Sequence, residues 1–367
     1  MIINRTAVED LIGLSLDGLQ RMYDPSRELL FTRRFEGGPE RSDHLSPRYT
    51  VMSSVGLASA RAAGYETALD PRRLLESGLD AGPQDAIDHL GMALWSSAVQ
   101  GGTGLEARIL PRLLRRLERE DLLHHVVGRV PAWALIGLSL HFENEPSEAV
   151  RTAARFLRDL ALQRCFDESG GLFRHFVTGI AFAREQTLFS TQIYWALALA
   201  EYGRVFGDIE ALRAANICAD TLIRLRDRFG GYAWRYHAHN GTIAERFPVY
   251  SVHQDGMAPM ALFSLARATG REVRRVNRES LRWLWLNQLG RSMVDPERAV
   301  IYRGARRRFP ANRIFIQLGR ASSLVGIDPR VVRSSAFLRL NATCRPYHLG
   351  WVLHAWCGRL DRVEGEE

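Results

Sequence analysis

Apolar residues recur at helical spacing through most of the chain. The runs VEDLIGLSLDGLQRMY (8–23), EAVRTAARFLRDLALQRCF (148–166), STQIYWALALAEYGRVF (190–206), IEALRAANICADTLIRLRDRF (209–229), GMAPMALFSLARATG (256–270) and RRVNRESLRWLWLNQL (274–289) all carry apolar side chains three and four positions apart. Alanine and glycine recur on these faces, which lets helices approach one another closely. The alternation of a half-buried strand is scarce and confined to short pieces. The pattern predicts an all-α chain.

A weak repeat runs between the helices. YDPSRELLFTRR (23–34), CFDESGGLFRHF (165–176), DRFGGYAWRYHAHNGTI (227–243) and MVDPERAVIYRGARRR (293–308) each follow a helix. Each opens on an Asp-Pro or Gly-Gly turn signal and continues as a short apolar-aromatic run with arginine. The last three start about 60 to 65 residues apart, the length of one long helical hairpin with an elaborated loop. At that period the chain holds about six hairpins. Such units cannot bury their apolar faces alone, so they stack or close on themselves. No Pro/Ser-rich linker or charge block divides the chain. The expectation is one domain over residues 1–367: an (α/α)6 toroid of helical hairpins with short β-hairpin-like loops.

Composition narrows the function classes. All 49 Lys+Arg residues are arginine, so a P-loop lysine, a Schiff-base lysine and a lysine general base are excluded. The formal charge is +8, yet the arginines mostly stand beside Asp and Glu, as in RRLERED (115–121), and read as solvated helix faces. Local exceptions are Arg306–Arg308 and Arg271–Arg278. No nucleic-acid motif accompanies the charge, and no nucleic-acid partner is expected. The four cysteines form no C-x-x-C pair and read as buried thiols. HAH (237–239) and HH (124–125) lack the spacing of a helical two-histidine site, so no metal and no cofactor are expected. No run reaches the roughly 18 to 20 apolar residues of a membrane span. Glu9 and Asp10 interrupt any signal-peptide pattern, and a cytoplasmic location is expected.

With hairpins at this period and Gly-Gly-aromatic loops, the chain resembles the α/α toroid superfamily. That superfamily includes six-hairpin glycosidases, polysaccharide lyases, the glucuronyl C5-epimerase catalytic domain and the terpenoid cyclase and prenyltransferase toroids. GGYAWRYHAHNGTIAERFPVYSVHQDGMAPMAL (230–262) and CRPYHLGWVLHAW (344–356) are similar to bacterial proteins of surface-polysaccharide gene clusters. The resemblance implies the fold and a glycan or sugar-containing partner. The Asp-rich motif of terpenoid cyclases is absent, since Asp255 stands alone in VHQDG.

Three groups of residues are candidates for chemistry. The first is Trp234, Arg235, Tyr236, Glu245, Arg246, Tyr250, His253, Gln254 and Asp255, dense in aromatics, arginine and acid–base groups within one loop. Tyr and Trp faces suit the C–H face of a pyranose; arginine suits a uronate carboxylate or a phosphate. Asp255 equally fits a cap or first-turn position of the helix carrying Met257–Leu265. The second is Arg345, Tyr347 and His348, which ring closure would bring toward His44, Arg48 and Tyr49. The third is Glu185 and Gln192 around LFSTQIYW (188–195). Asp255, Glu245, Glu185, Tyr250 and His253 are the candidate catalytic groups. The remaining candidates are Trp234, Arg235, Tyr236, Arg246, Gln254, Arg345, Tyr347, His348, Gln192 and Arg48, as substrate contacts. Two chemistries fit. Hydrolysis would use Asp255 with Glu185 or Glu245; epimerisation or elimination would move the proton α to a uronate carboxylate through Tyr or His. A non-catalytic glycan-binding protein and a terpenoid-type cyclase are the alternatives.

Overall fold

The computed structural model describes residues 3–36, 39–118, 128–176, 186–308 and 337–363. Among them, twelve α-helices follow in chain order: α1 (Arg5–Arg21), α2 (Pro47–Ala62), α3 (Pro71–Ala81), α4 (Ile87–Val99), α5 (Glu106–Leu117), α6 (Arg129–Asn144), α7 (Glu148–Leu160), α8 (Phe189–Phe206), α9 (Ile209–Arg224), α10 (Ala258–Thr269), α11 (Arg274–Arg282) and α12 (Pro346–Trp356).

Odd and even helices differ in a way written into their sequences. Odd helices bury one stripe: in α7 it is Val150, Ala154, Leu157 and Leu160, with charge elsewhere. Even helices are apolar all round; α4 buries every residue from His89 to Ala98. A helix that is apolar on every side needs neighbours on every side. Accordingly α2, α4, α6, α8, α10 and α12 pack in that order, and α12 packs back on α2. The odd helices sit outside, α1 against α12 and each other one against the even helix beside it in the chain. Six hairpins thus close an (α/α)6 toroid, as the hairpin period predicts.

Close approach inside the ring depends on glycine. A Cβ on Gly56 of α2 would lie 2.0 Å from the carbonyl oxygen of Gly350 on α12, and one on Gly137 of α6 would lie 2.6 Å from the carbonyl oxygen of Gly91 on α4. Within the bore, Trp95 (α4) stacks on Trp351 (α12) at 5.0 Å, and Trp351 Nε1 donates to the Tyr194 hydroxyl (α8) at 2.9 Å. Trp133 (α6) meets Tyr194 edge-on at 5.2 Å. Because α12 is a ring neighbour of neither α4 nor α8, these contacts cross the lumen and plug it.

The short strands lie in connections from an outer to an inner helix, at the inner helices' N-terminal ends. These are β1 (Tyr23–Asp24), β2 (Leu29–Arg34) and β3 (Arg41–Leu45) before α2; β4 (Phe166–Asp167), β5 (Leu172–Phe173) and β6 (Gln186–Leu188) before α8; β7 (Arg235–His237), β8 (Thr242–Glu245) and β9 (Val249–Tyr250) before α10. Before α12 come β10 (Val294–Asp295), β11 (Val300–Ile301), β12 (Gly304–Arg307), β13 (Leu338–Asn341) and β14 (Thr343–Cys344). The sequence repeat has a structural basis. β1–β2, β4–β5 and β10–β11 share one register, with Asp24↔Leu29, Asp167↔Leu172 and Asp295↔Val300 paired. In each, the Asp carboxylate accepts a backbone N–H of the following turn: Ser26, Ser169 or Arg298. Asp227 does the same for Phe229 and Gly231 in the remaining copy. The conserved element of the turn is therefore aspartate, beyond the Asp-Pro and Gly-Gly signals. β14 pairs with β2, and β12 with β9, so the loops are knitted together on this face.

Gly56→Ala should destabilise the protein by about 1–3 kcal/mol, because backbone must shift to admit a methyl group. Gly13→Ala, in the exposed middle of α1 with nothing within 4 Å, should stabilise it by up to about 1 kcal/mol. Equilibrium denaturant unfolding of the two variants checks both signs; equal effects would count against glycine-limited packing in the ring.

Candidate functional site

All six inner helices start at the loop-bearing face, and their first turns supply the side chains there. α2 brings Arg48 and Tyr49, α4 Asp88, α6 Arg129, α8 Thr191, and α12 Tyr347 and His348, with Arg345 immediately before it. Before α10 the chain makes a π-helical turn, His253–Met257, continuous with the helix. This replaces the expected cap: Asp255 lies within the turn rather than at its start, and its carboxylate points across to α12. π-helical turns inside helices are frequent at functional sites because they reset which side chains face inward.

Asp255 and His348 form the buried centre of this face. His348 Nε2 lies 2.7 and 2.9 Å from the two Asp255 carboxylate oxygens, and Trp356 Nε1 donates to the Asp255 carbonyl at 2.6 Å. Neither side chain is appreciably exposed (0% and 2%). Burial pushes the Asp255 carboxyl up from its ordinary value, and His348 opposes the shift. Among the described residues, the side chain that bonds the Asp255 carboxylate is this histidine. Behind His348 lies His253, stacked on Phe189 at 4.3 Å and edge-on to Tyr250 at 5.2 Å. Burial, reinforced by Arg303 and His348, lowers the His253 pKa to about 3.

A half-buried rim of tyrosine and arginine surrounds the pair. Arg345 Nη1 donates to the Tyr49 hydroxyl at 2.8 Å, and Tyr49 packs on Tyr347 at 4.8 Å, so ring closure brings the last hairpin onto the first. The Arg303 guanidinium lies 4.6 Å from the centre of the Tyr250 ring, and Tyr250 meets Trp234 edge-on at 6.4 Å. Arg235 covers Trp234 at 4.5 Å. Burial raises the pKa of both Tyr49 and Tyr250, with Arg303 and Arg345 working against it. Their phenols are therefore protonated donors at neutral pH. Among the described residues, no carboxylate pairs with Arg303 or Arg345.

Several predicted site residues are engaged elsewhere. Gln192 is fully buried; its amide exchanges hydrogen bonds with the Phe173 backbone and donates to Thr187 Oγ1. Gln254 is likewise buried, accepting from Tyr232 N and donating to Tyr250 O. Both hold loops to helices and leave no amide group for a sugar. Tyr236 is fully buried on β7, whose alternation turns it into the core. Arg246 is buried and lies 3.4 Å from Asp227, inside a repeat turn. Arg48 pairs with Asp88. Glu245 is 3% exposed. Its Oε1 accepts from Phe247 N at 3.1 Å and faces Arg307 Nη2 at 3.5 Å, and burial raises its pKa. Glu185 lies outside the described residues, and His44 is exposed on β3.

Sequence reasoning missed Asp88, Arg303, Arg129, Tyr194 and His175. His175 bonds Thr191 Oγ1 through Nδ1 at 2.6 Å, and burial near Arg129 and Arg235 lowers its pKa to about 4. Of these, Arg303 had a sequence signal: it ends the apolar run of the last repeat copy, in VIYRGARRR (300–308). The 860 Å³ cavity at the opposite end of the ring is lined by none of the predicted site residues.

No protein-family model and no curated protein matches the chain. Solved structures do. A possible member of the GH105 family from Klebsiella pneumoniae is similar with TM-score 0.65 and 12% identity, covering 99% of this chain and 95% of that one. An unsaturated glucuronyl hydrolase specific for heparin gives 0.64 and 13%, over 98% and 96%. A sugar epimerase from a ruminal bacterium gives 0.62 and 9%, over 97% and 98%. At this identity the likeness establishes the fold: the chain shares the six-hairpin α/α toroid of these carbohydrate enzymes.

His175 and His253 tie this face to acid stability. In the folded protein they stay neutral down to about 4 and about 3, whereas the unfolded chain takes up protons from 6.5. The unfolded state therefore binds more protons in that window, and stability should fall as pH drops from 6.5 toward 4. Denaturant midpoints across that range should show the decline, and His175→Asn should make it shallower without abolishing it, because His253 and His354 are also held neutral. A midpoint independent of pH would contradict the assignment.

Proposed function

We propose that the loop-bearing face binds an acidic glycan and moves a proton at a sugar carbon next to a carboxylate, as an epimerase or lyase does. The observation that carries this reading is the partner of Asp255. A glycosidase needs two carboxyl groups across a bond; here the buried acid is bonded to a histidine. A histidine held by a carboxylate is a positioned proton carrier.

Each element has a role. Arg345 and Arg303, without carboxylate partners among the described residues, take the substrate carboxylate, aided by six converging helix N-termini whose partial positive charge favours anions. Holding that carboxylate withdraws charge from the neighbouring C–H and lowers the cost of removing its proton. His348 accepts the proton, oriented by Asp255. Tyr250 or Tyr347, at the half-exposed rim, supplies a proton to the opposite face of the carbon or to the leaving oxygen. Trp234 offers a flat face for the sugar ring. The neighbouring folds include an enzyme named for glucuronyl groups and one named as a sugar epimerase, which agrees with this substrate class. The resemblance to surface-polysaccharide proteins supports a role in polysaccharide synthesis within one domain.

The deep burial of Asp255 and His348 favours a second reading, a non-catalytic glycan-binding protein that uses the rim alone. The aromatic plug counts against a terpenoid cyclase, whose apolar substrate needs a deep cavity in the bore.

Incubation with uronate-containing oligosaccharides in deuterated water separates these readings. The expected result is deuterium entering the carbon next to the carboxylate, for epimerisation, or a new carbon–carbon double bond there, for elimination, either one reduced about 10²–10⁴-fold in His348→Gln. Arg345→Gln should chiefly raise KM. New reducing ends with neither deuterium nor a new double bond beside the carboxylate would replace the proposal with hydrolysis, and binding without any of these products would leave the binding protein.

A further inference from the structure

The toroid has a second mouth. Where the inner helices end, a bowl of about 860 Å³ opens on the short-loop side, with residues from all six contributing to its wall. The lumen plug of Trp95, Trp133, Tyr194 and Trp351 stands between this bowl and the Asp255–His348 face. Its volume lies in the range of small-molecule sites.

The side chains of the bowl carry more guanidinium groups than carboxylates. Glu201 accepts from Arg267, Arg204 and Ser264, and Glu143 takes the other edge of Arg204. Three guanidinium groups, Arg204, Arg267 and Arg359, thus share two carboxylates, and Arg359 is the one left over: among the described residues no carboxylate pairs with it. Rim arginines Arg271, Arg274 and Arg362 each have their own acid. Arg359 uses Nη1 alone within the protein, donating to the carbonyls of His354 at 2.6 Å and Ala355 at 2.9 Å. It thereby answers the negative C-terminal end of α12. Among the described residues its Nε and Nη2 have no acceptor, and they are not sealed from solvent; they open on the bowl that the residue lines. Beside it, His354 is tied by Nδ1 to Ser59 Oγ at 2.8 Å. Burial, reinforced by Arg359 and Arg267, keeps His354 neutral, with a pKa of about 3, so it contributes hydrogen bonding without adding charge. Phe263 supplies an apolar wall, its ring centre 5.6 Å from the Arg359 guanidinium.

We infer that this bowl is a second binding site, which takes a small anionic molecule, a sugar acid or a phosphate, on the free edge of Arg359. The anion accepts from the guanidinium edge that the carbonyls at the end of α12 leave unused. The arrangement is independent of the chemistry assigned to the other face.

Calorimetric titration tests it with two probes, D-glucuronate and inorganic phosphate, in protein carrying Arg345→Gln so that uptake at the loop-bearing face is weakened. Saturable binding of at least one probe is expected, and the probe that binds identifies the anion. Adding Arg359→Gln should weaken it at least about tenfold, the loss of a charge-assisted contact. Adding Ala62→Trp instead, at an exposed position on the rim, should weaken it similarly by narrowing the bowl with all charges kept. That second variant decides the matter if the first is unstable. No binding of either probe to the Arg345→Gln protein, or binding that survives Ala62→Trp unchanged, would overturn the second site while leaving the proposed function untouched.

Discussion

Everything at the loop-bearing face depends on the distance at which α12 meets α2. That distance is set by Gly56 against Gly350, a backbone-to-backbone contact with no room for a methyl group. Only with α12 seated there does Arg345 reach the Tyr49 hydroxyl, and only then does β14 join β2. The same helix carries His348 to Asp255 and Trp351 to Trp95 and Tyr194. One close helix crossing thus closes the ring, plugs the bore and assembles the Asp255–His348 pair. Close packing leaves few intermediate positions for such an element.

The two ends of the toroid follow from chain direction. Every inner helix runs from the loop-bearing face to the short-loop face, so one mouth gathers helix N-termini and the other gathers C-termini. The first mouth favours anions through helix dipoles and through Arg303 and Arg345, which pair with no carboxylate among the described residues. The second needs cations to satisfy its carbonyls, and Arg204, Arg267 and Arg359 answer that need near Glu143 and Glu201. Arginine serves both because its fork can bond a carbonyl with one edge and an anion with another. In a chain without lysine, this geometry is repeated around the molecule.

Much of the architecture was legible in the chain. Helical periodicity and the hairpin-length spacing of the turn segments led to the toroid, and the turns fall where the repeat placed them. The approach of Arg345 and Tyr347 to Tyr49 was likewise readable, because ring closure sets the last hairpin beside the first, whereas the bond between His348 and Asp255 was not. What a single sequence does not encode locally is side-chain direction. Tyr236 and Trp234 are two residues apart in one strand region, yet one is core and the other lines the rim. Gln192 and Gln254 look like sugar ligands until their amides are seen holding loop backbones. The π-helical turn at His253–Met257 cannot be read from spacing, since a regular helix start would cap with Asp255 instead of aiming it at His348. Asp88 escaped notice because its meaning comes from a contact to a distant segment, Arg48.

A crystal structure of the protein with a uronate-terminated disaccharide bound tests the central claim most directly. The account predicts the uronate carboxylate on Arg345 and Arg303, a sugar ring against Trp234 or Tyr250, and the Asp255–His348 pair intact beneath the ring carbon that bears the carboxylate. A ligand seated away from this face, or an Asp255 released from His348 to face a second carboxylate across the glycosidic bond, would contradict it.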